Sequence, residues 1–503
     1  MKSYLRGMSP PTYTTLLRAI TLGTARRELP PTVGEWLDEL AATDPTADDA
    51  EHLLAALGIQ ERVHRLTPPY SVQLEEQVTA PVEVTSPVSP RLARGLQLIL
   101  EGTYPDLLDE ATELVLQRQC HIPPPFLPAL HLRAAALMDD DYARALRYVK
   151  AGGKRAEWLA EQHPDWQALS PNFDYAAAWK RESQPGEMAK LLSRWRRVDP
   201  EAARQALDNV WNNQSPRNQE VLLSGMTVNL STDDHAWLRA ALPPKRKKVR
   251  RELARLLLLS GEQETTDDFR EIARSLVSKN GDFTNVPTSE RAKELLTDYG
   301  GVKAPQTPAQ LLLELMPPDS WRELVDLPLP TFWLSLDPLQ QRGAGRAVVA
   351  YPAVGIKVEF TRFLLFESPV KFPVDLAIEL VRQLPVVSFD SLYDELLSKQ
   401  KDALRLRGLP RAMAIGRRTP WSERLTKSMM TQLLENLRSH HLDYATQSEL
   451  AQQWKQATPL LHLETFPWLR QQLHATTERY DAFGKLAVDM LQTTAFRREL
   501  HKP

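Results

Sequence analysis

The chain has 503 residues, with 62 Lys and Arg against 64 Asp and Glu, so its formal net charge is −2. A near-neutral charge is not that of a strongly basic nucleic-acid-binding protein, and a hydrophobic share of 42% is that of a folded chain. One cysteine excludes an intramolecular disulfide framework and any multi-cysteine zinc or iron–sulfur site built from this chain alone.

Proline outnumbers glycine by 39 to 20, and leucine is abundant. Few glycines leave little material for phosphate-binding loops, while leucine favours helices and proline starts or interrupts them. The longest nearly apolar stretch, 347–356, is half the ~20 residues that span a bilayer, and no apolar signal-peptide core follows the first cations. We therefore expect a cytoplasmic, all-α protein with no membrane segment.

The first 90 residues predict a helical region and a linker. Within 1–77, apolar residues repeat at helical spacing over 14–22, 33–40 and 50–57. The sequence VTAPVEVTSPVSP at 78–90 contains three prolines and is typical of an extended connector, although an edge strand is an alternative for its valines. The sequence therefore predicts an N-terminal helical region and then a Pro-rich linker at 78–90.

Residues 91–262 carry the strongest periodicity in the chain. Between 154 and 261, paired leucines recur about every 31 residues. These leucines are Leu191 with Leu192, Leu222 with Leu223, and Leu253 with Leu256. An interval of this length with two helices is typical of α-solenoid repeats, in which each helix pair buries its apolar face against its neighbours. We therefore predict a HEAT-like helical repeat domain over 91–262.

Two turns inside this region have the residues that start helices. Asp199 can accept hydrogen bonds from backbone N–H groups as an N-cap, and Pro200 suits the first helical position. Ser231, followed three residues later by Asp234, resembles a capping box with a shorter acid. Both turns therefore predict helix starts at equivalent places in successive repeats.

The rest of the chain is predicted as a polar connector over 263–308 and a helical C-terminal domain over 309–503. The connector is weakly patterned and ends with a glycine pair and two prolines. The C-terminal domain alternates short apolar stripes with prolines. Residues 348–366 contain valines and phenylalanines with weak alternation, which leaves a strand pair open, but the helical context favours helix.

Two glycine-containing segments fail the motifs that bind nucleotides. Gly152-Gly153-Lys154 would need a glycine and a Ser or Thr where Tyr148 and Arg155 stand. Gly343-Ala344-Gly345 would need a third glycine where Val348 stands. We find no complete catalytic motif elsewhere in the sequence either, so the sequence predicts no catalytic, cofactor-binding or metal-binding residues.

Residues 245–251, KRKKVRR, place six cations in seven positions. One interpretation is a patch that binds nucleic-acid phosphates. The other, which we favour, is a helix with an apolar face of Val249, Leu253 and Leu256 and with its cations in solvent. Because cations at a helix start are mildly unfavourable, such a cluster invites an acidic protein partner. The predicted partner-binding residues are Lys247, Lys248, Arg250 and Arg251.

A second basic stretch lies over 405–418. Its cations are Arg405, Arg407, Arg411, Arg417 and Arg418. It lacks the interleaved aromatic residues that stack with single-stranded bases. Together with 245–251, it carries the alternative hypothesis of a nucleic-acid-binding protein.

Four segments of the chain resemble one known family. They are LLRAITLGTARRELPP (16–31), GKRAEWLAEQHPDW (153–166), LLSRWRRVDPEAARQALDNVW (191–211) and KKVRRELARLLLLSG (247–261). In order and content they resemble an uncharacterised bacterial family, a domain of unknown function, most strongly over 150–262. The chain departs from that family at Pro243-Pro244, where members tend to have acidic residues before the basic helix.

The resemblance implies a helical-repeat protein with no catalytic residues to carry over. That family is commonly encoded near MoxR-type AAA+ ATPases, von Willebrand A-domain proteins and SWIM-type zinc-finger proteins, so these are the implied partners. The favoured prediction is a non-enzymatic scaffold or adaptor that binds protein partners. One alternative is nucleic-acid binding through the stretches 245–251 and 405–418. Another is an enzyme whose site assembles from residues distant in sequence.

Overall fold

The computed structural model of the protein describes most of the chain. The described residues are 13–22, 33, 35, 38, 46, 48–66, 79–242, 246–283, 288–299, 308–367, 372–400, 402–438, 443–478 and 482–502. The chain divides into two compact units, Met1–Thr79 and Ala80–Pro503, and each has its own apolar core. Within the described ranges, no helix is long and apolar enough to cross a membrane.

The first unit contains two helices, α1 (Tyr13–Leu22) and α2 (Asp49–Leu66), among its described residues. Leucine and alanine side chains from both helices are buried in its core. The two helices coincide with the patterns predicted at 14–22 and 50–57. Most of the remaining predicted pattern, 33–40, lies outside the described residues.

The regular secondary structure of the second unit is helical in its described residues, apart from an isolated bridge and two short strands. Strands β1 (Ser86–Pro87) and β2 (Cys120–His121) pair in parallel, with Ser86 opposite Cys120. The predicted all-α fold is therefore confirmed.

The first five helices of this unit surround one apolar cluster. They are α3 (Pro90–Leu100), α4 (Leu108–Gln117), α5 (Leu127–Leu137), α6 (Tyr142–Ala151) and α7 (Gly153–Gln162). The helix that follows them, α8 (Tyr175–Arg181), packs instead in the cluster of the repeat helices. Helix α3 begins at the last residue of the predicted linker. The Ser89 hydroxyl accepts a hydrogen bond from the Leu92 N–H there, and Pro90 occupies the first helical position, where its missing N–H costs nothing.

The next six helices show the predicted repeat. They are α9 (Pro185–Arg196), α10 (Pro200–Trp211), α11 (Pro216–Ser224), α12 (His235–Ala241), α13 (Lys247–Leu259) and α14 (Gln263–Leu276). Helix α11 begins 31 residues after α9 begins, and α13 begins 31 residues after α11 begins. All six leucines of the predicted pairs lie on these three helices and are buried. The 31-residue interval therefore corresponds to helix pairs packed side by side.

The predicted helix starts are confirmed in detail. Asp199 accepts a hydrogen bond from the Ala202 N–H at 2.9 Å, directly before α10. Ser231 and Asp234 form a capping box around the short 3₁₀ turn Thr232–Asp234, which leads into α12. The structure thus places a capped start at the same point of two successive helix pairs.

A buried ion pair joins these two helix pairs. Arg196, at the end of α9, has no exposed surface and donates two hydrogen bonds to the Asp234 carboxylate, at 2.7 and 3.1 Å. Its remaining donors reach the backbone carbonyls of Val228 and Asn229. Asp234 thereby serves as the cap of one turn and as the partner of a guanidinium from the preceding helix pair.

Helix α15 (Glu290–Tyr299) packs against α13 and α14. The helices after it share one large apolar cluster, which begins at Ala254 and ends at Met490. They are α16 (Pro308–Leu315), α17 (Trp321–Leu324), α18 (Leu329–Ser335), α19 (Pro338–Ala350), α20 (Val354–Phe366), α21 (Val374–Arg382), α22 (Val386–Lys399), α23 (Leu409–Gly416), α24 (Glu423–Arg438), α25 (Tyr444–Ala457), α26 (Phe466–Thr477) and α27 (Ala482–His501). The segment 348–366 contains the end of α19 and the whole of α20, separated by a break at 351–353, so helix is confirmed over a strand pair.

Residues 263–308, predicted as a polar connector, include the helices α14 and α15. Helix α14 has many charged residues, but Phe269, Ile272 and Leu276 share one face and lie in the large apolar cluster. A narrow apolar stripe on a charged helix is therefore enough to bring α14 into the core.

The last helix of the unit returns to its first helices. Phe496 on α27 stacks on Tyr104 with ring centroids 4.2 Å apart. The absence of a side chain at Gly95 lets Leu500 approach α3, because a Cβ atom there would lie 2.2 Å from the Leu500 side chain. Arg118 donates hydrogen bonds to the carbonyls of the last helical turn, including that of His501 at 2.9 Å. The two ends of the unit are therefore held together.

Candidate functional site

Residues 246–251 of the basic stretch lie at the start of α13, as predicted. Lys247 and Lys248 are exposed, together with the preceding Arg246, whereas Arg250 and Arg251 are half-buried. Lys245 lies outside the described residues.

The apolar face predicted for this helix is confirmed. Val249, Leu253 and Leu256 are all buried, with at most 1% of their surface exposed. They pack in the cluster of the repeat helices. Because this face fixes the rotation of α13, Lys247 and Lys248 before it turn their charged side chains towards solvent.

The cations at the start of α13 are exposed and consecutive in sequence. The helix begins without a side-chain cap, and Arg246 occupies the N-cap position. In the described part of the chain, Arg246, Lys247 and Lys248 form no ion pair. The positive end of the helix dipole adds to their charge. This surface, residues 246–248, is called the basic helix start below.

The second basic stretch does not form a continuous exposed surface. Arg405 is 79% exposed, and Arg407 pairs with Glu449 at 3.0 Å. Arg411 is 1% exposed and Arg417 5% exposed. Arg418 is exposed, with φ +63°. The five arginines therefore occupy different environments, and two of them contribute no surface charge.

Arg417 and Arg411 differ in what surrounds them. The Arg417 guanidinium lies 4.0 Å from the centroid of the Phe389 ring and donates hydrogen bonds to Thr419 and to the Leu384 carbonyl. Arg411 instead lines a cavity of about 370 Å³ at the start of α23, and its three guanidinium nitrogens have no hydrogen-bond partner among the described residues. The sequence placed both arginines in one basic stretch, and no local signal separates them.

The glycine pair that failed the phosphate-loop motif lies at a helix start that a carboxylate already occupies. Gly153, with φ +74°, begins α7. Glu83 accepts hydrogen bonds there from the backbone N–H groups of Lys154 and Arg155, at 2.9 and 2.7 Å. The N–H groups that would cradle a phosphate are thus satisfied from within the chain.

The comparable segment Gly343-Ala344-Gly345 lies inside helix α19, where its glycines serve packing. A Cβ atom at Gly345 would lie 2.6 Å from the Phe372 ring, and one at Gly343 would lie 3.0 Å from the Gln310 carbonyl oxygen. Among the residues that the structure describes, no group of three or more His, Cys, Asp and Glu side chains is placed to hold a metal ion.

Comparison with known proteins gives a family but no activity. A family model described as a family of unknown function matches residues 15–503. The similarity to an uncharacterised domain thus extends well beyond 150–262, where the sequence motifs are strongest. No curated protein matches the chain.

One solved structure is similar to the chain. It is the crystal structure of an engineered protein, a structural genomics target, which is 14% identical. The match covers 81% of this chain and 99% of that one, with a TM-score of 0.24. A TM-score this low carries no argument about a shared fold or function.

Proposed function

We propose, from the premise that the chain belongs to the family of unknown function DUF5691, that it is a non-enzymatic helical-repeat scaffold. In this proposal the basic helix start of α13 binds an acidic surface of a partner protein in the cytoplasm. The observation that carries the proposal is the group of three consecutive exposed cations, which form no ion pair within the described part of the chain.

This group is distinguished by three consecutive exposed cations that form no ion pair among the described residues. Some exposed cations elsewhere in the unit are paired, as Lys190 is with Asp139 at 2.8 Å and Lys427 with Glu423 at 2.6 Å. At the basic helix start, mutual repulsion and the helix dipole both oppose the local charge. An acidic partner surface would relieve both effects, and complementary charge would also speed its association.

The size of the basic surface favours a protein over a nucleic acid. A nucleic-acid-binding surface usually follows the phosphate backbone with cations spread over a face or stripe. Here the exposed cations occupy one helical turn, and Arg411 and Arg417 of the second stretch are buried. The net charge of −2 also gives no long-range attraction to a polyanion.

The partner classes follow from the family resemblance. We propose a MoxR-type AAA+ ATPase, a von Willebrand A-domain protein or a SWIM-type zinc-finger protein of a bacterial system. A scaffold of packed helix pairs suits such a role because stacked helices offer extended surfaces to other proteins.

The test is co-purification from cells that express the chain natively. The double variant Lys247→Glu/Lys248→Glu reverses two charges of the basic helix start. The control, Lys150→Glu/Lys180→Glu, makes the same charge change at two exposed lysines of α6 and α8. We expect the wild type and the control to retain an ATPase, von Willebrand A or zinc-finger partner, and the first variant to lose it.

Two results would contradict the proposal. One is retention of the same partner by the Lys247→Glu/Lys248→Glu variant. The other is a salt-dependent mobility shift of duplex or single-stranded DNA that this variant alone abolishes, since that would assign the basic helix start to nucleic acid.

A further inference from the structure

A cavity of about 370 Å³ lies between the start of α23 and one face of α25. Helix α23 contributes Leu409, Arg411 and Ala412, and α25 contributes Glu449 and Gln453. Its volume is at the lower end of the range of small-molecule pockets. None of its lining residues belongs to the basic helix start.

Arg411 is the unusual member of this cavity. It is 1% exposed, yet its Nε, Nη1 and Nη2 atoms have no hydrogen-bond partner in the part of the chain that the structure describes. An unpaired charge buried in a protein is strongly unfavourable, so such groups are normally paired or bind an ion.

The other buried arginines show how this fold ordinarily meets that requirement. Arg196 binds Asp234 and backbone carbonyls, and Arg497 binds Glu110 through two hydrogen bonds. Arg417 has hydrogen bonds and the Phe389 ring. Among the described residues, Arg411 alone of these four lacks both, and of the four it alone lines this cavity.

Arg411 remains a cation at neutral pH. Burial lowers the pKa of its guanidinium to about 10, while the charge of Glu449 acts in the opposite direction. A pKa of about 10 is still far above physiological pH, so losing the proton does not relieve the buried charge. A bound anion would relieve it.

The charges around the cavity set the charge of its ligand. Glu449 accepts a hydrogen bond from Arg407 at 3.0 Å and another from the Gln453 amide at 3.3 Å. The negative charge of Glu449 and the positive charge of Arg407 therefore compensate each other. One positive charge, that of Arg411, is left over. The start of α23 adds the positive end of a helix dipole. The cavity therefore suits a single negative charge better than a dianion.

The rest of the lining sets the body of the ligand. It is apolar and consists of Phe372, Val374, Leu406, Leu409 and Ala412. Gln453 adds a buried amide oxygen that has no donor among the described residues. A planar guanidinium matches a carboxylate through two parallel hydrogen bonds. We propose that this cavity binds a small monocarboxylate with an apolar body, whose carboxylate pairs with Arg411.

The experiment is isothermal titration calorimetry of the full chain with sodium acetate, hexanoate, benzoate and phosphate. We expect hexanoate and benzoate to bind, acetate to bind more weakly by about fourfold for each methylene that it lacks, and phosphate to bind more weakly than hexanoate. Arg411→Met should weaken hexanoate binding by at least ~tenfold, because the charged hydrogen bonds are lost.

Three further variants separate a binding role from a structural one. Arg411→Lys keeps the charge and should bind with intermediate affinity, which keeps the test valid if Arg411→Met does not fold. Glu449→Gln removes the negative charge of the lining and should tighten hexanoate binding by about threefold or more. Arg405→Met, an exposed arginine outside the cavity lining, is the control and should leave binding unchanged.

The proposal is overturned if neither hexanoate nor benzoate binds the wild type at millimolar concentration. It is equally overturned if both the Arg411→Met and the Arg411→Lys variants bind hexanoate as tightly as the wild type does. Binding of phosphate in preference to every carboxylate would also overturn it, because the cavity would then be a dianion site.

Discussion

Arg196 in the repeat helices and Arg411 in the C-terminal helices are buried to the same degree, at 0% and 1% exposure, in opposite surroundings. Arg196 binds a carboxylate and backbone carbonyls, so its charge connects two helix pairs. Arg411 has no hydrogen-bond partner within the described residues and lines a cavity. Burial of a cation therefore does not define its role; the groups that bind the cation do.

Two other buried arginines lie between these extremes. Arg497 binds Glu110 and the Leu461 carbonyl. Arg417 has hydrogen bonds to Thr419 and to a carbonyl, together with an aromatic ring, but its Nη1 atom has no partner in the described part of the chain. Replacing each arginine by methionine, which has a similar length and no charge, should therefore give a graded series of stabilities.

The largest effect is expected for Arg196→Met. It leaves Asp234, which is 1% exposed, without its bidentate partner, and breaking a buried pair in this way costs about 3–5 kcal/mol. The measurement is the urea midpoint of unfolding followed by circular dichroism. Arg197→Met is the control, because Arg197 is exposed and adjacent, and its midpoint should equal that of the wild type.

A double variant sharpens this prediction. Arg196→Met/Asp234→Leu removes both charges and should recover part of the lost stability, since an apolar pair avoids the cost of one unpaired charge. If the double variant is less stable than Arg196→Met by the full cost of a second independent loss, the two residues do not act as a pair. The capping role of Asp234 limits the recovery by about 1 kcal/mol.

Arg497→Met should have the next largest effect, with a loss of about 2–3 kcal/mol. It removes two hydrogen bonds to Glu110 and one to the Leu461 carbonyl at 2.7 Å, all of which hold α27 in place. Hydrogen exchange of the α27 amides should then accelerate relative to that of α10. Equal protection of α27 in the wild type and the variant would show that the ion pair does not hold this helix.

The same ion pair predicts a pH dependence. Burial alone would raise the pKa of Glu110, but hydrogen bonds from His501 and Arg497 and the charge of Arg497 outweigh it and hold the pKa below its usual value. A carboxyl group with a lowered pKa contributes stability above its unfolded-state pKa and loses it as the pH falls through the folded-state value. The wild type should therefore exceed Glu110→Gln in urea midpoint at pH 7, and the gap should close on acidification. A gap that is constant from pH 7 to acid would contradict this linkage.

Arg417→Met should cost about 1–2 kcal/mol, since it removes two hydrogen bonds and a cation–π contact at 4.0 Å but leaves no buried carboxylate unpaired. Arg418→Met, at the exposed neighbouring position, is the control for the urea midpoint. A loss as large as that of Arg196→Met would mean that Arg417 has a charged partner of equal weight.

The sequence predicts the repeat helices well because their determinants are local. The leucine pairs on α9, α11 and α13 define apolar faces, and Asp199 and Ser231 cap helices within three residues of themselves. The exposure of the basic helix start follows in the same way from the apolar face of α13. In each case, the structure depends on apolar periodicity and on residues close in sequence.

The features that the sequence does not predict depend on residues distant in the chain. Arg497 meets Glu110 across 387 positions, and no local pattern indicates that α27 returns to α3. The arginines of the basic stretch 405–418 are close together in the sequence, but the packing of α21 to α25 decides which of them are buried. The cavity at Arg411 exists because α25 brings Glu449 and Gln453 to the start of α23.

The smallest effect in the series is expected for Arg411→Met in the absence of any ligand. Because Arg411 forms no hydrogen bond within the described residues, its loss removes a desolvated charge without leaving a partner unpaired. The free energy of unfolding should be unchanged or raised by about 1 kcal/mol. The urea midpoint is measured in a buffer free of carboxylates, with Arg405→Met as the exposed control. A loss equal to that of Arg417→Met would show that the unliganded chain already pairs Arg411, and the contrast with Arg196 would then be one of degree.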